Sequence, residues 1–210
     1  MIHLWLITAP DDFSAEFDDI EQMFSRGLSR LILQKRGRNG ASYASESEYE
    51  RWLLGLPMEC RDRIWVRGTP DLAKRLEVRG CLCDVARLAG VIPPSWYRIN
   101  TVAACKSVDE IAKLPPWVGG ALLGPVFQPA FAVEPVSCVD LSRLKTDREG
   151  FNPSNIPLIL SGGLDEETLP SVRPFDPAGI AVLGGVWNYA DPVNAFIKLN
   201  CSLGNAQLRP

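Results

Sequence analysis

Hydrophobic and polar positions repeat in one order along this chain: a short apolar run, then a segment whose apolar residues have helical spacing. The apolar runs predict eight β-strands: Ile2–Thr8, Arg30–Gln34, Arg63–Val66, Gly80–Cys83, Tyr97–Val102, Trp117–Leu123, Ile156–Leu160 and Ile180–Leu183. The helical spacing predicts seven short helices: Ser14–Arg26, Ser45–Leu56, Thr69–Val78, Ser107–Leu114, Val136–Leu144, Asp165–Val172 and Asp191–Leu199.

The segment ends support this pattern, with one interruption. Thr69 followed by Pro70 is typical of a helix start. The pattern weakens over residues 85–96, where Pro93 and Pro94 exclude much of a helix. We therefore expect strands 4 and 5 to be joined without a regular helix.

Strands that alternate with helices are typical of parallel sheets with helical crossovers. Eight such units in 210 residues fit a (β/α)8 TIM barrel near the lower end of its size range, about 200 residues. A doubly wound open sheet is the alternative, but the turn Thr8–Asp11 lacks the G-x-G-x-x-G pattern that such a sheet would have there. The chain is therefore predicted to be an α/β protein, a single TIM barrel domain over residues 1–210.

Composition and charge exclude several classes of binding partner. A net charge of −3 and a pI near 5.3 argue against a nucleic-acid binder. No apolar run approaches the roughly 20 residues of a membrane span, and Met1–Ala9 lacks the basic start of an export signal. Six cysteines without a C-x-x-C pair favour free thiols. We expect a cytoplasmic protein that binds neither nucleic acid nor membrane, and the oligomeric state stays open.

The single histidine, His3, limits the chemistry. It lies near the start of strand 1, whereas barrel active sites lie at the C-terminal ends of the strands. A histidine-based metal site or catalytic triad is therefore excluded, and the site must work without an imidazole.

Two glycine pairs follow the last two predicted strands, Gly162–Gly163 after Ser161 and Gly184–Gly185 after Leu183. Without Cβ atoms, their backbone N–H groups can approach an anion closely, and a following helix adds its dipole. Barrels frequently bind phosphate at these two loops. The alternative is that the glycines only make tight turns. We predict a phosphate site for a small phosphorylated molecule, formed by Ser161, Gly162, Gly163, Gly184 and Gly185.

Other residues just past strand ends are candidates for the same face. The candidate catalytic residues are Arg36, Arg67 and Lys106, because arginine and lysine suit phosphate groups. With Arg38, they are alternatively solvated loop residues. The predicted pocket-lining residues are Gln34, Arg36, Arg67, Gly124 and Gln128.

Asp84 and the nearby thiols each allow two interpretations. Asp84 is a possible general base or magnesium ligand, although a single loop aspartate is more often neither. Cys81 and Cys83 point to the same side of their strand, either the barrel interior or the helix layer. Without a histidine partner they are better interpreted as buried structural thiols.

Six segments of the chain are LILQKRG, RIWVRGTPDLA, AACKSVDEIA, GALLGPVFQPAF, IPLILSGGL and GIAVLGGVW. In this order they resemble thiamine phosphate synthase and its relative, thiazole tautomerase, over nearly the whole chain. The most specific parts are GPVF at Gly124–Phe127, the helix start Ser107–Glu110 and the two glycine pairs. The resemblance implies a barrel that joins hydroxymethylpyrimidine diphosphate to thiazole phosphate and releases pyrophosphate with the help of Mg²⁺.

Many functional positions of that family differ in this chain. Where the family has its two magnesium aspartates, its basic and hydroxyl ligands and its histidines, this chain has Ile32, Gln34, Arg36, Arg67, Gly68, Leu82, Arg87, Ala104, Lys106, Pro129, Phe131 and Ala132. Both Mg²⁺ carboxylates are thus replaced, and we expect no metal ligands. The glycine pairs of the thiazole-phosphate end are retained.

Three functions stay open. The chain is a thiamine phosphate synthase in which arginines replace part of the metal charge, or a catalytically degenerate protein that binds phosphate or thiazole phosphate. A third possibility is another barrel enzyme that acts on a phosphorylated substrate.

Overall fold

Eight parallel strands in sequence order close into a barrel. The computed structural model describes residues 2–36, 44–89, 94–132, 134–144 and 156–204. The strands are β1 His3–Ile7, β2 Arg30–Leu33, β3 Ile64–Arg67, β4 Gly80–Asp84, β5 Asn100–Cys105, β6 Gly120–Leu123, β7 Leu158–Ser161 and β8 Gly179–Val182. β8 pairs with β1, with Ala181 opposite Trp5, so closure leaves no free sheet edge. The predicted (β/α)8 barrel is confirmed.

Short helices connect the strands. The α-helices are α1 Glu16–Ser25, α2 Glu46–Leu53, α3 Pro70–Arg75, α4 Val108–Ile111, α5 Leu169–Val172, α6 Gly184–Trp187 and α7 Pro192–Ser202. Within the described residues, four 3-10 segments accompany them: Met58–Arg63, Val85–Arg87, Pro94–Arg98 and Arg173–Phe175. The Thr69 hydroxyl accepts from the N–H of Leu72, as predicted for the start of α3. Within the ranges described, no helix has the length and apolarity to cross a membrane.

The predicted strand Tyr97–Val102 begins too early. Pro94–Arg98 is a 3-10 segment in which Trp96 is buried, and β5 starts at Asn100. Pairing sets this start, because Asn100 lies opposite Gly80, the first residue of β4. No α-helix occurs over residues 85–89 and 94–96, so the predicted irregular connection is confirmed for these residues. Pro93 lies outside the residues described.

The predicted helix Val136–Leu144 is wrong over residues 136–140, which form no regular structure. The N–H of Val136 donates to the Gln128 side-chain oxygen at 3.0 Å, and the N–H of Val139 donates to the Pro125 carbonyl at 2.8 Å. In a helix that began at Val136, the Val139 N–H would donate to the carbonyl of residue 135, and its bond to Pro125 prevents this. Conversely, the sequence pattern does not predict α6, since its two leading glycines are poor helix formers.

Alternate side chains of the strands fill two cores. The barrel interior contains Trp5, Ile32, Trp65, Leu82, Val102, Leu122, Ile159 and Ala181. Between the strands and the helices lies a larger core, which includes Cys81 and Cys83. The two thiols therefore face the helix layer, and their interpretation as buried thiols is confirmed. Burial raises the pKa of Cys81 to about 12 and that of Cys83 to about 11.

Candidate functional site

A cleft of about 720 Å³ opens at the C-terminal ends of β6, β7 and β8. It is at the barrel face where enzymes of this fold have their active sites. Eight of the residues predicted from strand ends line it: Lys106, Gly124, Gln128, Ser161, Gly162, Gly163, Gly184 and Gly185. The sequence prediction therefore located residues that the fold does bring together.

Packing alone requires glycine at several of these positions. Gly162 and Gly163 have φ angles of +90° and +62°, which residues with a Cβ atom rarely adopt. A Cβ on Gly162 would lie 2.5 Å from Pro125, and one on Gly163 would lie 2.6 Å from Phe127. A Cβ on Gly185 would lie 2.4 Å from the carbonyl oxygen of Leu164. The glycines thus let the loops after β6, β7 and β8 touch, whether or not an anion binds.

The same turns also present donors. Gly184 and Gly185 begin α6, and the first N–H groups of a helix have no acceptor within it. The indole N–H of Trp187, at the end of α6, donates to the carbonyl of Ile7 at 2.7 Å. This bond ties the short helix to the end of β1. The two glycines that begin α6 line the cleft, and backbone N–H groups at such a position are suited to an anion.

Three of the polar side chains that line the cleft already have partners. Ser161 Oγ donates to the Leu123 carbonyl at 3.4 Å. The Asp165 carboxylate accepts from the N–H groups of Glu167 and Thr168, at 3.0 and 2.8 Å. Gln128 bridges Glu134 and Val136 of its own loop, so its side chain braces the cleft wall.

Lys106 supplies positive charge to the cleft. Its side chain is exposed just past β5, and no other lysine or arginine lines this cleft among the residues described. Its backbone N–H donates to the Glu110 carboxylate at 2.7 Å, which fixes the start of α4. Apolar residues form much of the remaining wall: Ile7, Pro125, Ala130, Phe131, Val136, Leu164 and Leu183. A ligand with one anionic end and an apolar body matches these surroundings.

Three predicted residues do not line this cleft: Gln34, Arg36 and Arg67. The backbone N–H of Gln34 donates to the Thr8 hydroxyl, which donates in turn to the Gln34 carbonyl. Arg36 is largely exposed and lies 3.9 Å from the Asp11 carboxylate. The Arg67 guanidinium donates to the carboxylate of Asp84. Arg38 lies outside the residues described.

A buried ionic cluster was missed by sequence reasoning. Lys35, directly after β2, donates to the Glu16 carboxylate, and both side chains are almost fully buried. Glu16 also accepts from the N–H of Ala9 at 2.9 Å, and Lys35 lies 3.4 Å from Asp12. Burial is the larger influence on the Glu16 carboxyl and raises its pKa, while Lys35 opposes this. Nothing in the local sequence distinguishes these residues from an exposed helix acid and a loop lysine.

The donors present do not fit the Mg²⁺ that the family resemblance implies. Gly68 stands at the position of one aspartate, and the charge of the preceding residue, Arg67, is paired with Asp84. In the described part of the chain, no three His, Cys, Asp or Glu side chains form a group that could hold a metal ion. Mg²⁺ binds through oxygen ligands such as carboxylates. We therefore assign no step to a metal ion.

The barrel and its cleft define the class of protein as a (β/α)8 barrel with a candidate site on the C-terminal face. Its fold is similar to that of a thiamine phosphate pyrophosphorylase from Bacteroides thetaiotaomicron, with a TM-score of 0.70 and 20% identity over 97% of this chain and 98% of that one. A thiamine phosphate pyrophosphorylase from Pyrococcus furiosus is also similar, with a TM-score of 0.73 and 18% identity over 97% of this chain and 96% of that one. A phosphoribosylanthranilate isomerase from Thermotoga maritima has a TM-score of 0.61 and 16% identity over 97% of this chain and 100% of that one.

These identities are low, so the similarities establish the fold alone. The sequence matches no protein-family model and no curated protein. The relation to thiamine phosphate pyrophosphorylases is thus a relation of structure.

Proposed function

We propose that this protein binds a small phosphorylated molecule with an apolar or heteroaromatic body, such as thiazole phosphate, in the cleft at β6–β8. The observation that carries the proposal is the pair of glycine turns at this cleft. Gly184 and Gly185 place N–H groups without helical acceptors beside apolar walls, and Lys106 adds a positive charge. The structural similarity to thiamine phosphate pyrophosphorylases supports the choice of thiazole phosphate as the first ligand to test.

The wall chemistry divides the ligand into two parts. We place the phosphate at the glycine turns, where backbone N–H groups favour negative charge. The ring lies against Leu164, Leu183 and Phe131, whose apolar surfaces give no charge to compete for the phosphate. Both parts are needed for affinity, so inorganic phosphate and the unphosphorylated thiazole alcohol should each bind more weakly than thiazole phosphate.

Thermal unfolding with thiazole phosphate tests the proposal, because a ligand that binds only the folded state raises the melting temperature. Lys106→Gln should weaken the shift, and Lys113→Gln, which removes an exposed charge away from the cleft, should not. Ala130→Asp places a carboxylate beside Gly184 and should abolish the shift, whereas the matched Ala130→Asn should retain much of it. No shift at millimolar thiazole phosphate would contradict the proposal.

A second candidate is thiamine phosphate synthase activity, which the structural similarity over nearly the whole chain favours. In this case Arg36, Arg67 and Lys106 are the candidate catalytic residues. Of these, Lys106 lines the cleft, so it is the residue that we expect to stabilise the departing pyrophosphate. Incubation with hydroxymethylpyrimidine diphosphate and thiazole phosphate, with and without Mg²⁺, tests it. Thiamine phosphate that disappears with Lys106→Gln supports the activity. If no thiamine phosphate forms under either condition but thiazole phosphate raises the melting temperature, only the binding function is supported.

A further inference from the structure

A second cleft lies at the opposite end of the barrel, where the strands begin. It has a volume of about 300 Å³, and we call it the basal cleft. The residues that matter here are His3, Trp5, Arg30, Arg79, Asn100 and Gly119. None of the residues that line it within the described chain carries a carboxylate. The basal cleft is therefore separate from the glycine-turn cleft and is lined by hydrogen-bond donors.

Two arginines give the basal cleft its charge. The Arg30 guanidinium lies over the Trp5 ring, 4.9 Å from the ring centroid. Among the residues described, neither Arg30 nor Arg79 has an acidic partner within ion-pair distance. Burial lowers the pKa of Arg30, and the positive charge of Arg79 lowers it further, so the two guanidinium groups repel each other. An anion between them would relieve this repulsion.

Neutral donors stand beside the two arginines. The Asn100 side-chain oxygen accepts from the Trp65 indole at 3.2 Å, which leaves the Asn100 amide N–H groups available to donate. The indole nitrogen of Trp5 is buried and has no hydrogen-bond partner among the residues described. His3 also lines the cleft, and burial together with the charge of Arg30 lowers the pKa of its imidazole.

From this arrangement we propose that the basal cleft binds a tetrahedral oxyanion, either inorganic phosphate or the phosphate of a small monoester. Arginine guanidinium groups donate two hydrogen bonds in a fixed fork that matches phosphate oxygens. The volume of about 300 Å³ is enough for a phosphate group with a few further atoms. Barrels of this class keep their chemistry at the other face, so the bound anion would stabilise or regulate the protein rather than react.

The Trp5 indole N–H resonance provides a local readout, because Arg30 lies on that ring. Titration of ¹⁵N-labelled protein with inorganic phosphate at constant ionic strength should shift this resonance and saturate. Arg30→Gln and Arg79→Gln should each weaken the apparent affinity by about tenfold. Arg51→Gln removes the same charge outside the basal cleft and should leave the affinity unchanged.

Gly119 provides a matched pair of variants at the cleft wall. A Cβ there would only make ordinary contacts, at 3.4 Å or more, so substitution is compatible with the fold. Gly119→Asp should abolish the phosphate-induced shift by repulsion, and the isosteric Gly119→Asn should retain it.

If Arg30→Gln does not fold, Arg79→Gln and Gly119→Asp test the proposal by themselves. Both positions are exposed, so these substitutions are compatible with the fold. A repeat titration with glycerol phosphate separates the monoester from inorganic phosphate by its affinity. A Trp5 shift no larger with phosphate than with chloride would overturn the proposal. A phosphate-induced shift in Arg79→Gln and Gly119→Asp equal to that of the unsubstituted protein would also overturn it.

Discussion

The guanidinium of Arg67 donates to the carboxylate of Asp84, and this ion pair joins the C-terminal ends of β3 and β4. Arg67 is largely buried and Asp84 about a third exposed. The family resemblance places an asparagine at residue 67 and a magnesium aspartate at residue 68. In this chain Arg67 and Gly68 occupy these positions, and the charge of Arg67 is paired with that of Asp84. Arg67 is therefore not an unpaired positive charge that replaces a metal ion.

Asp84→Asn should lower the free energy of unfolding by about 1–2 kcal/mol, because it leaves a largely buried guanidinium with a weaker, neutral partner. Urea unfolding at neutral pH measures this change. Glu46→Gln is the control, since it weakens the Arg75 pair at exposed side chains and should have a smaller effect. An Asp84→Asn protein no less stable than Glu46→Gln would show that the Arg67 pair does not stabilise the barrel.

Lys35→Met should be among the most destabilising single changes, with a loss of about 3–5 kcal/mol. It leaves the Glu16 carboxylate buried without its cation at the ends of β1 and β2. The double variant Lys35→Met/Glu16→Leu removes both charges and should recover much of the loss, because apolar residues tolerate the same burial. Urea unfolding of the two single variants and the double variant forms the thermodynamic cycle. Equal losses in Lys35→Met and in the double variant would argue against a buried ion pair.

Glycine substitutions can separate backbone strain from steric clash. Gly204 has a φ of +75° with nothing within 4 Å of a Cβ, so Gly204→Ala should cost about 1 kcal/mol of stability from left-handed strain alone. At Gly163 a Cβ would also collide with Phe127 and with the Gln128 carbonyl, at 2.6 and 2.7 Å. Gly163→Ala should therefore cost about 2–4 kcal/mol. Thermal unfolding measures both losses, and similar values would mean that the loop after β6 can move away.

Thiol reactivity should divide the six cysteines into two groups. Cys138 and Cys201 are exposed, and the other four are buried. Only the thiolate reacts with a disulfide reagent, and burial raises the pKa of Cys105 to about 12. At pH 8 we expect two thiols to react rapidly with 5,5′-dithiobis(2-nitrobenzoate) and all six after denaturation. Rapid reaction of more than two thiols in the native protein would contradict the predicted burial.

The buried thiols should also weaken the fold at alkaline pH. Burial raises the pKa of Cys81 from 9.0 to about 12 in the folded state, so between these values the unfolded chain loses a proton that the folded chain retains. The stabilisation is complete below pH 9.0 and falls above it by about 1 kcal/mol per pH unit for this thiol. Cys81→Ala should reduce the alkaline slope of the unfolding free energy, and the exposed Cys138→Ala should not. Equal slopes in the two variants would be inconsistent with a buried, protonated Cys81.

Local sequence predicted most elements because their signals are short-range. Thr69 before Pro70 marks a helix start wherever the helix packs, and α3 begins there. The prediction failed where a competing partner lies elsewhere in the chain. Residues 136–140 have no regular structure because Val139 binds Pro125, and Pro94–Arg98 is a 3-10 segment before a strand whose start depends on pairing with Gly80.

The candidate site shows the same division. Glycines after β7 and β8 could be identified from sequence, because a barrel brings all strand ends to one face. Which charged side chains reach the cleft could not, since Lys106 lines it while Arg67 does not. Arg67 ends β3 and Lys106 follows β5, and nothing in the local sequence predicts which of the two reaches the cleft.

The sequence by itself determined the order of strands and helices, and with it a parallel barrel, because periodicity and helix-capping residues act over a few positions. The tertiary structure decided the electrostatics. Arg67 meets Asp84 across 17 residues, and Lys35 meets Glu16 across 19, because neighbouring strands and their loops bring these side chains together. The two arginines of the basal cleft likewise come from the starts of different strands, Arg30 in β2 and Arg79 just before β4. Pairing depends on strand register and burial, which no local pattern encodes.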